Sequence, residues 1–102
     1  MNTTVVGSGA TTNNFADNSV AIGYNSRAEN VDAVALGTGS QASGTGSVTI
    51  GSNAYVTTAG TNSLALGVGA TASAANSVAL GLCARAWANI YRTFVYGRQP
   101  VR

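Results

Sequence analysis

The sequence predicts an all-β protein, a parallel β-solenoid of about seven short coils, each of roughly 14 to 16 residues. Three observations predict this fold. A six-residue pattern that ends in glycine recurs in one register along the chain. Small and aliphatic residues alternate before each glycine, which is the period of a β-strand. The repeating unit is also too short for the other common repeat architectures.

The repeat is anchored by the glycine that ends each copy of a pattern resembling Asn-Ser-Val-Ala-Ile-Gly. Its five near-consensus copies end at Gly23, Gly37, Gly51, Gly67 and Gly81, so that successive anchor numbers differ by 14, 14, 16 and 14. Degenerate copies end at Gly7 and Gly97. A small residue follows each anchor after three positions and a small or β-branched one after five, as Ser26 and Ala28 follow Gly23. Each unit therefore contains two short strands separated by turns.

The unit length decides between repeat folds. A βαβ crossover, an ankyrin or tetratricopeptide repeat and a propeller blade all need more residues. Strand–turn–strand–turn coils fit, stacked so that equivalent residues pair about 4.8 Å apart, and seven would form a rod of roughly 30 to 35 Å. The recurrent asparagine at the start of units predicts a stack of side-chain amides at one corner. It stands at Asn2, Asn18, Asn62 and Asn76.

The first strand of each coil has one face of small residues and one of aliphatic residues. The small face holds Ala21, Ala35, Thr49, Ala65 and Ala79. One aliphatic column holds Val20, Val34, Val48, Leu64 and Val78, and the other holds Ile22, Leu36, Ile50, Leu66 and Leu80. Because so short a coil is thin, we expect the small face inside and the aliphatic columns in an interface with a symmetric partner. Such a long exposed stripe would make a monomer prone to aggregation. The alternative is a monomer with the aliphatic columns inside.

Composition and charge exclude several classes of function. Charged residues make up 8% of the chain, against roughly 25% in typical domains, and no apolar stretch reaches the ~20 residues of a transmembrane helix. A net charge of +2 argues against a nucleic-acid partner. The chain has no histidine or lysine, and its only acids are Asp17, Glu29 and Asp32. We therefore predict no enzyme, no metal site and no cofactor, with Glu29 and Asp32 at a solvated corner.

Two motifs have ordinary structural interpretations. Residues 67–72 match a Gly-x-Gly-x-x-Ala dinucleotide fingerprint, but residues 37–42 repeat the same slots and no helix-forming stretch follows, so a repeat turn is favoured. The single cysteine, Cys83, excludes an intramolecular disulfide. It occupies a turn slot that Asn25, Gly39 and Asn53 fill elsewhere, and we expect it to be inert.

Residues 18–23 and 76–81, each followed by a small-x-small strand, resemble the head repeats of the trimeric autotransporter adhesins, the YadA-like group of Gram-negative surface proteins. The resemblance covers about residues 2 to 97. It implies a left-handed parallel β-roll and a homotrimer with the aliphatic columns turned toward its centre. It also implies display on the outer membrane through a stalk and anchor, and attachment to host matrix such as collagen or fibronectin, or to host cells. Repeats at 18–23, 62–67 and 76–81 match the motif that the family associates with collagen binding.

The C-terminal residues, 82–102, depart from the repeat. Aromatic residues and arginines concentrate there, at Arg85, Trp87, Tyr91, Arg92, Phe94, Tyr96, Arg98 and Arg102. We expect one head fragment over residues 1–102, with repeats over 2–81 and an atypical last coil or neck-proximal end over 82–102. That end would pack in the trimer.

Tyr24 and Tyr55 lie near polar corners, and we predict them as ligand contacts.

Residues 1–4 lack the features of a secretory signal, so we expect an internal piece of an exported protein without direct membrane contact. A phage-fibre-like structural spacer with no ligand remains the alternative function. An ice-binding solenoid would need regular outward threonine columns, and the threonines here are irregular.

Overall fold

A computed structural model describes residues 2–13, 16–86 and 94–96. These residues form thirteen β-strands and no helix, wound as a parallel β-solenoid of about six turns. No helix in the described part of the chain is long and apolar enough to span a membrane. The all-β solenoid predicted from the repeat is therefore confirmed.

Each coil contributes one strand to each of two parallel sheets. The first sheet contains β1 (Thr4–Val6), β3 (Val20–Ile22), β5 (Val34–Leu36), β7 (Val48–Ile50), β9 (Leu64–Leu66), β11 (Val78–Leu80) and β13 (Phe94–Tyr96). The second sheet contains β2 (Thr11–Thr12), β4 (Arg27–Ala28), β6 (Gln41–Ala42), β8 (Tyr55–Val56), β10 (Thr71–Ala72) and β12 (Arg85–Ala86). Strands neighbour one another in each sheet in the order of the coils. The six described pairs of strands complete about six turns, and β13 adds a seventh strand to the first sheet.

Strand register follows the spacing of the repeat. Val20 pairs with Val34 across one of the shorter coils, and Val48 pairs with Leu64 across one of the longer coils. The corner between β3 and β4, residues 23–26, has four residues, as do the equivalent corners of the other described coils. The corner after the second strand absorbs the two extra residues of the longer coils, as in residues 57–63. Length variation is thus confined to one edge of the solenoid, where a loop can grow without disturbing the ladders.

The interior is narrow and filled by small side chains. Ala21, Ala35, Thr49, Ala65 and Ala79 of the first sheet are all 0% exposed. They face the alanines of the second sheet and Val56, which are also fully buried. The smallest Cα dimension of the molecule is 12 Å, which leaves no room for two large residues per turn. The aliphatic columns consequently lie on the outside, as the length of the coil led us to expect.

Buried serines satisfy their hydroxyls within their own corners. Ser47 Oγ donates to Gly44 O at 2.6 Å and Ser77 Oγ donates to Ala74 O at 2.6 Å. Ser40 Oγ makes the same bond to Gly37 O at the other corner, at 2.9 Å. In the described residues no buried side-chain nitrogen or oxygen atom lacks a hydrogen-bond partner. A polar interior slot is therefore tolerated because each of these hydroxyls reaches a carbonyl three residues earlier.

The recurrent asparagine is explained by backbone conformation. Asn18, Asn62 and Asn76 have φ between 57° and 61°, and Asp32 and Gly46 occupy the same slot with φ of 59° and 69°. Asparagine, aspartate and glycine are the residues that adopt this left-handed conformation most readily. A backbone bond ties this slot to the preceding coil, since Asn76 N–H donates at 2.9 Å to the carbonyl of Thr61, the residue before Asn62. The left-handed turn therefore accounts for this column, where the sequence suggested stacked amides.

The anchor glycines form a second column in which no side chain fits. Gly23, Gly37, Gly51 and Gly67 have φ between 121° and 130°. A Cβ on Gly37 would stand 2.8 Å from the carbonyl carbon and oxygen of Gly51, and a Cβ on Gly51 would stand 2.6 Å from Gly67 O. Each of these anchors therefore lies in close contact with the backbone of the next coil. The repeat requires glycine there because the φ is unfavourable for other residues and because a side chain has no space.

Candidate functional site

The outer face of the first sheet forms a continuous aliphatic surface, which we call the aliphatic face. It consists of the two columns predicted from the sequence, Val20, Val34, Val48, Leu64 and Val78 with Ile22, Leu36, Ile50, Leu66 and Leu80. All ten side chains are partly exposed, and Ile22 and Ile50 reach 37%. Val6 extends the second column at the N-terminal end. The in-register ladder places each side chain directly above its counterpart, so the columns have no gaps.

The aliphatic face is suited to bind another apolar surface. Neither column contains a charged residue. Complete burial of a large aliphatic side chain contributes about 1.5–3 kcal/mol, so covering the exposed third of Ile22 or Ile50 contributes about 0.5–1 kcal/mol. The whole face then offers on the order of 5 kcal/mol per chain.

The outer face of the second sheet has a different chemistry. Its outward column holds Thr11, Arg27, Gln41, Tyr55, Thr71 and Arg85, which are exposed or half-exposed. The mixture of hydroxyl, amide, guanidinium and phenol groups is typical of a solvated surface. The solenoid therefore has one aliphatic and one polar broad face, and a ligand that reaches the molecule from solution can contact the polar one.

A polar network surrounds Glu29 at the edge of the polar face. Arg27 Nη2 lies 2.7 Å from Glu29 Oε2, while Ser43 Oγ and Gln41 Nε2 donate to Glu29 Oε1 at 2.7 and 3.1 Å. The carboxylate is thus held by three neighbours. Asp32 occupies a left-handed corner slot and is exposed. No group of three metal-ligating side chains occurs in the described residues.

The two tyrosines predicted as ligand contacts lie in different slots. Tyr24 is 57% exposed in the four-residue corner after β3, and Tyr55 is 37% exposed on the outward column of the second sheet, two coils further on. The structure does not bring them into one cluster. The slot of Tyr24 also holds Val68 and Leu82, which are 52% and 56% exposed. Sequence reasoning missed these two residues, although they directly follow the anchor glycines and align with Tyr24.

Cys83 has an exposed free thiol and a φ of 55°, so it occupies a left-handed slot that Asn25 and Asn53 fill with φ of 58° and 61°.

The packed trimer end predicted from the C-terminal aromatic and arginine residues lies largely outside the described residues. This applies to Trp87, Tyr91, Arg92, Arg98, Arg102 and the side chains of Phe94 and Tyr96.

Comparison with known proteins agrees with the repeat architecture. The sequence model of one family, described as YadA head domain repeat (2 copies), matches residues 1–26, 28–54 and 59–82, which together form most of the chain. A search of curated proteins found no match. The YadA head family has an adhesin-type function at the cell surface and is in general non-enzymatic. The chain, with its glycine-anchored coils and external aliphatic face, therefore belongs to the YadA head repeat family of the trimeric autotransporter adhesins.

Proposed function

We propose that this chain is the non-catalytic head of a homotrimeric bacterial adhesin that attaches to host extracellular matrix, with collagen-type proteins as the first candidates. Three chains would pack their aliphatic faces around a threefold axis and turn their polar faces outward. The proposal includes a left-handed winding and a seventh coil completed beyond β12. It also places the head on the cell surface, carried by a stalk and an outer-membrane anchor.

One observation carries the proposal, namely that the ten aliphatic side chains lie outside the coil while alanines fill the inside. An isolated chain would leave this stripe in water along most of its length, which is a feature of interaction surfaces and a hazard for a monomer. A threefold arrangement covers the stripe on every chain with identical surfaces and closes on itself. Family membership supports the same assembly and a role in attachment.

The assembly is tested by light scattering on the purified chain. A trimer of 10.1 kDa chains has a mass of about 30 kDa. Replacement of Ile50 by aspartate puts a charge on the aliphatic face and should dissociate the trimer, because burial of an unpaired carboxylate is costly. The control Thr71→Asp adds the same charge to the polar face and should leave the mass unchanged. A wild-type mass equal to that of one chain would refute the trimer.

Attachment is tested by solid-phase binding of the trimer to immobilised collagens and fibronectin. We expect saturable binding to a collagen, weakened by Tyr24→Ala or Tyr55→Ala without loss of the trimer. Binding would be shared among three chains and many weak contacts, so either change alone should cost less than about tenfold in apparent affinity. A stable trimer that binds no matrix protein would favour the alternative, a structural spacer that only extends a fibre.

A further inference from the structure

The corner that follows each strand of the first sheet carries a column of side chains, which we call the corner column. Backbone bonds connect its successive coils, and Cys83 N–H, for example, donates to Val68 O at 2.9 Å. Two neighbouring members, Val68 and Leu82, are aliphatic and more than half exposed. The column consists of Ser8, Tyr24, Thr38, Ser52, Val68 and Leu82.

Val68 and Leu82 extend the aliphatic face around its edge. Each stands two positions after the last residue of a strand of that face, Leu66 in β9 and Leu80 in β11. All four side chains are partly or well exposed. The corner residues are therefore continuous with the surface that we propose to be covered in the trimer, and they bring apolar area to its edge.

The opposite edge of the same sheet carries a second column, at the corner that precedes each strand. We call it the entry column. Its carbonyl groups accept bonds from the next coil, as Thr61 O accepts from Asn76 N–H at 2.9 Å. The side chains of this column are exposed or half-exposed. The column consists of Asp17, Val31, Thr45, Thr61 and Ala75.

The chemistry of the two columns changes along the rod. In the coils of β9 and β11, Val68 and Leu82 stand at one edge of the sheet while the uncharged Thr61 and Ala75 stand at the other. In the coil of β3 the arrangement is polar, because Tyr24 stands at one edge and the exposed carboxylate of Asp17 at the other.

A threefold axis brings these two edges together. In a cyclic trimer each contact is heterologous, so one edge of a chain meets the opposite edge of the next chain. When three parallel rods face their first sheets toward the axis, the corner column of each chain therefore lies beside the entry column of its neighbour at the same height. Only in the coils of β9 and β11 does the corner column bring an aliphatic side chain to this seam, and there it meets an uncharged residue. In the coil of β5 the corner residue is Thr38, and the aliphatic Val31 stands on the entry side.

We propose that Val68 and Leu82 dock on the next chain at Thr61 and Ala75, and that this contact closes the trimer along its three edges in the C-terminal half of the rod. At the height of β3, Tyr24 faces a carboxylate and adds no apolar closure. This inference rests on the trimer proposed above, and its partner is a second copy of this chain.

Sedimentation equilibrium over about 0.1 to 100 µM chain concentration tests the corner side of the contact. The double variant Val68→Ser/Leu82→Ser should fold normally, because serine occupies the same slot at Ser52. It should raise the concentration at which the trimer dissociates by at least about tenfold, since the apolar area is lost at three edges at once. The control Tyr24→Ser changes an equally exposed residue of the same column and should shift the dissociation by less than about twofold.

The residues of the entry column are tested by Ala75→Asp, which places a carboxylate opposite Leu82 of the neighbouring chain. Aspartate occupies the equivalent slot at Asp17, so the turn should accept it, while the trimer should dissociate at a higher concentration. Thr71→Asp is the control, because it adds the same charge to the polar face. If a trimer persists at the lowest chain concentration, each variant is compared with its control by the urea concentration at which the trimer dissociates.

The outcomes separate this inference from the proposed function. A trimer that the double serine variant weakens no more than Tyr24→Ser does would overturn the edge contact and leave the trimeric head intact. The same holds if Ala75→Asp acts no more strongly than Thr71→Asp. A single-chain mass at all concentrations would refute the trimer itself. Circular dichroism of each variant checks that the β-solenoid is retained.

Discussion

The anchor glycines should be the least replaceable residues of the chain, and Gly37→Ala tests this. Its φ of 121° lies in a region that residues with a side chain rarely adopt, which costs about 1–3 kcal/mol. The new Cβ would also stand 2.8 Å from the backbone of Gly51. Forcing such an atom into a close-packed site typically costs about another 1–3 kcal/mol, because hydrogen bonds to the neighbouring coils prevent one coil from shifting by itself. The expected loss in the free energy of unfolding is about 2–6 kcal/mol.

Gly46→Asn is the matched control. Gly46 has a φ of 69°, and asparagine occupies the same slot at Asn18, Asn62 and Asn76. Its Cβ would meet the end of the Asn62 side chain, which can rotate away. We expect a change below about 1 kcal/mol, of either sign.

Urea unfolding followed by circular dichroism, at one fixed chain concentration, measures both variants. The concentration must be held constant because assembly adds to apparent stability. A loss of about 2 kcal/mol would lower the melting temperature of a domain of this size by about 8 °C or more. If Gly37→Ala lost less than about 1 kcal/mol, or no more than Gly46→Asn, stacking of the anchor glycines could not be what requires glycine.

Three further changes probe other parts of the structure. Cys83→Asn should stabilise the chain by about 0.5–1 kcal/mol, because asparagine tolerates the left-handed slot better, whereas Cys83→Ser should not; thermal melts distinguish them. Ala65→Leu should lower the free energy of unfolding, measured in urea, by about 3 kcal/mol or more, because the interior has no room for the added atoms. Thr71→Leu, on the polar face, should leave the free energy of unfolding nearly unchanged. Glu29→Gln should lower the free energy of unfolding by less than about 1 kcal/mol, and this difference from wild type should shrink at about 1 M salt. An undiminished difference would contradict a surface ion pair with Arg27.

The spacing of glycines and the alternation before them were enough to predict the fold. Units this short leave room only for two short strands and two corners, so Val20 had to pair with Val34 and Val48 with Leu64. The placement of the aliphatic columns outside also followed from length, since the small residues before each anchor fill a coil too thin to enclose the aliphatic ones as well. These features are local and periodic, which is why one sequence suffices to predict them.

Other features depended on atoms brought together from different coils. The sequence could not show that Gly37 needs glycine because Gly51 lies against it, or that Glu29 is held by Gln41 and Ser43 from the next coil. It also did not reveal that Val68 and Leu82, which align with Tyr24, are more than half exposed. Sequence alone determined the length of each coil and the pairing of its strands, because both depend on a period along the chain. Tertiary structure decided which surfaces remain open, because exposure depends on what the neighbouring coils cover.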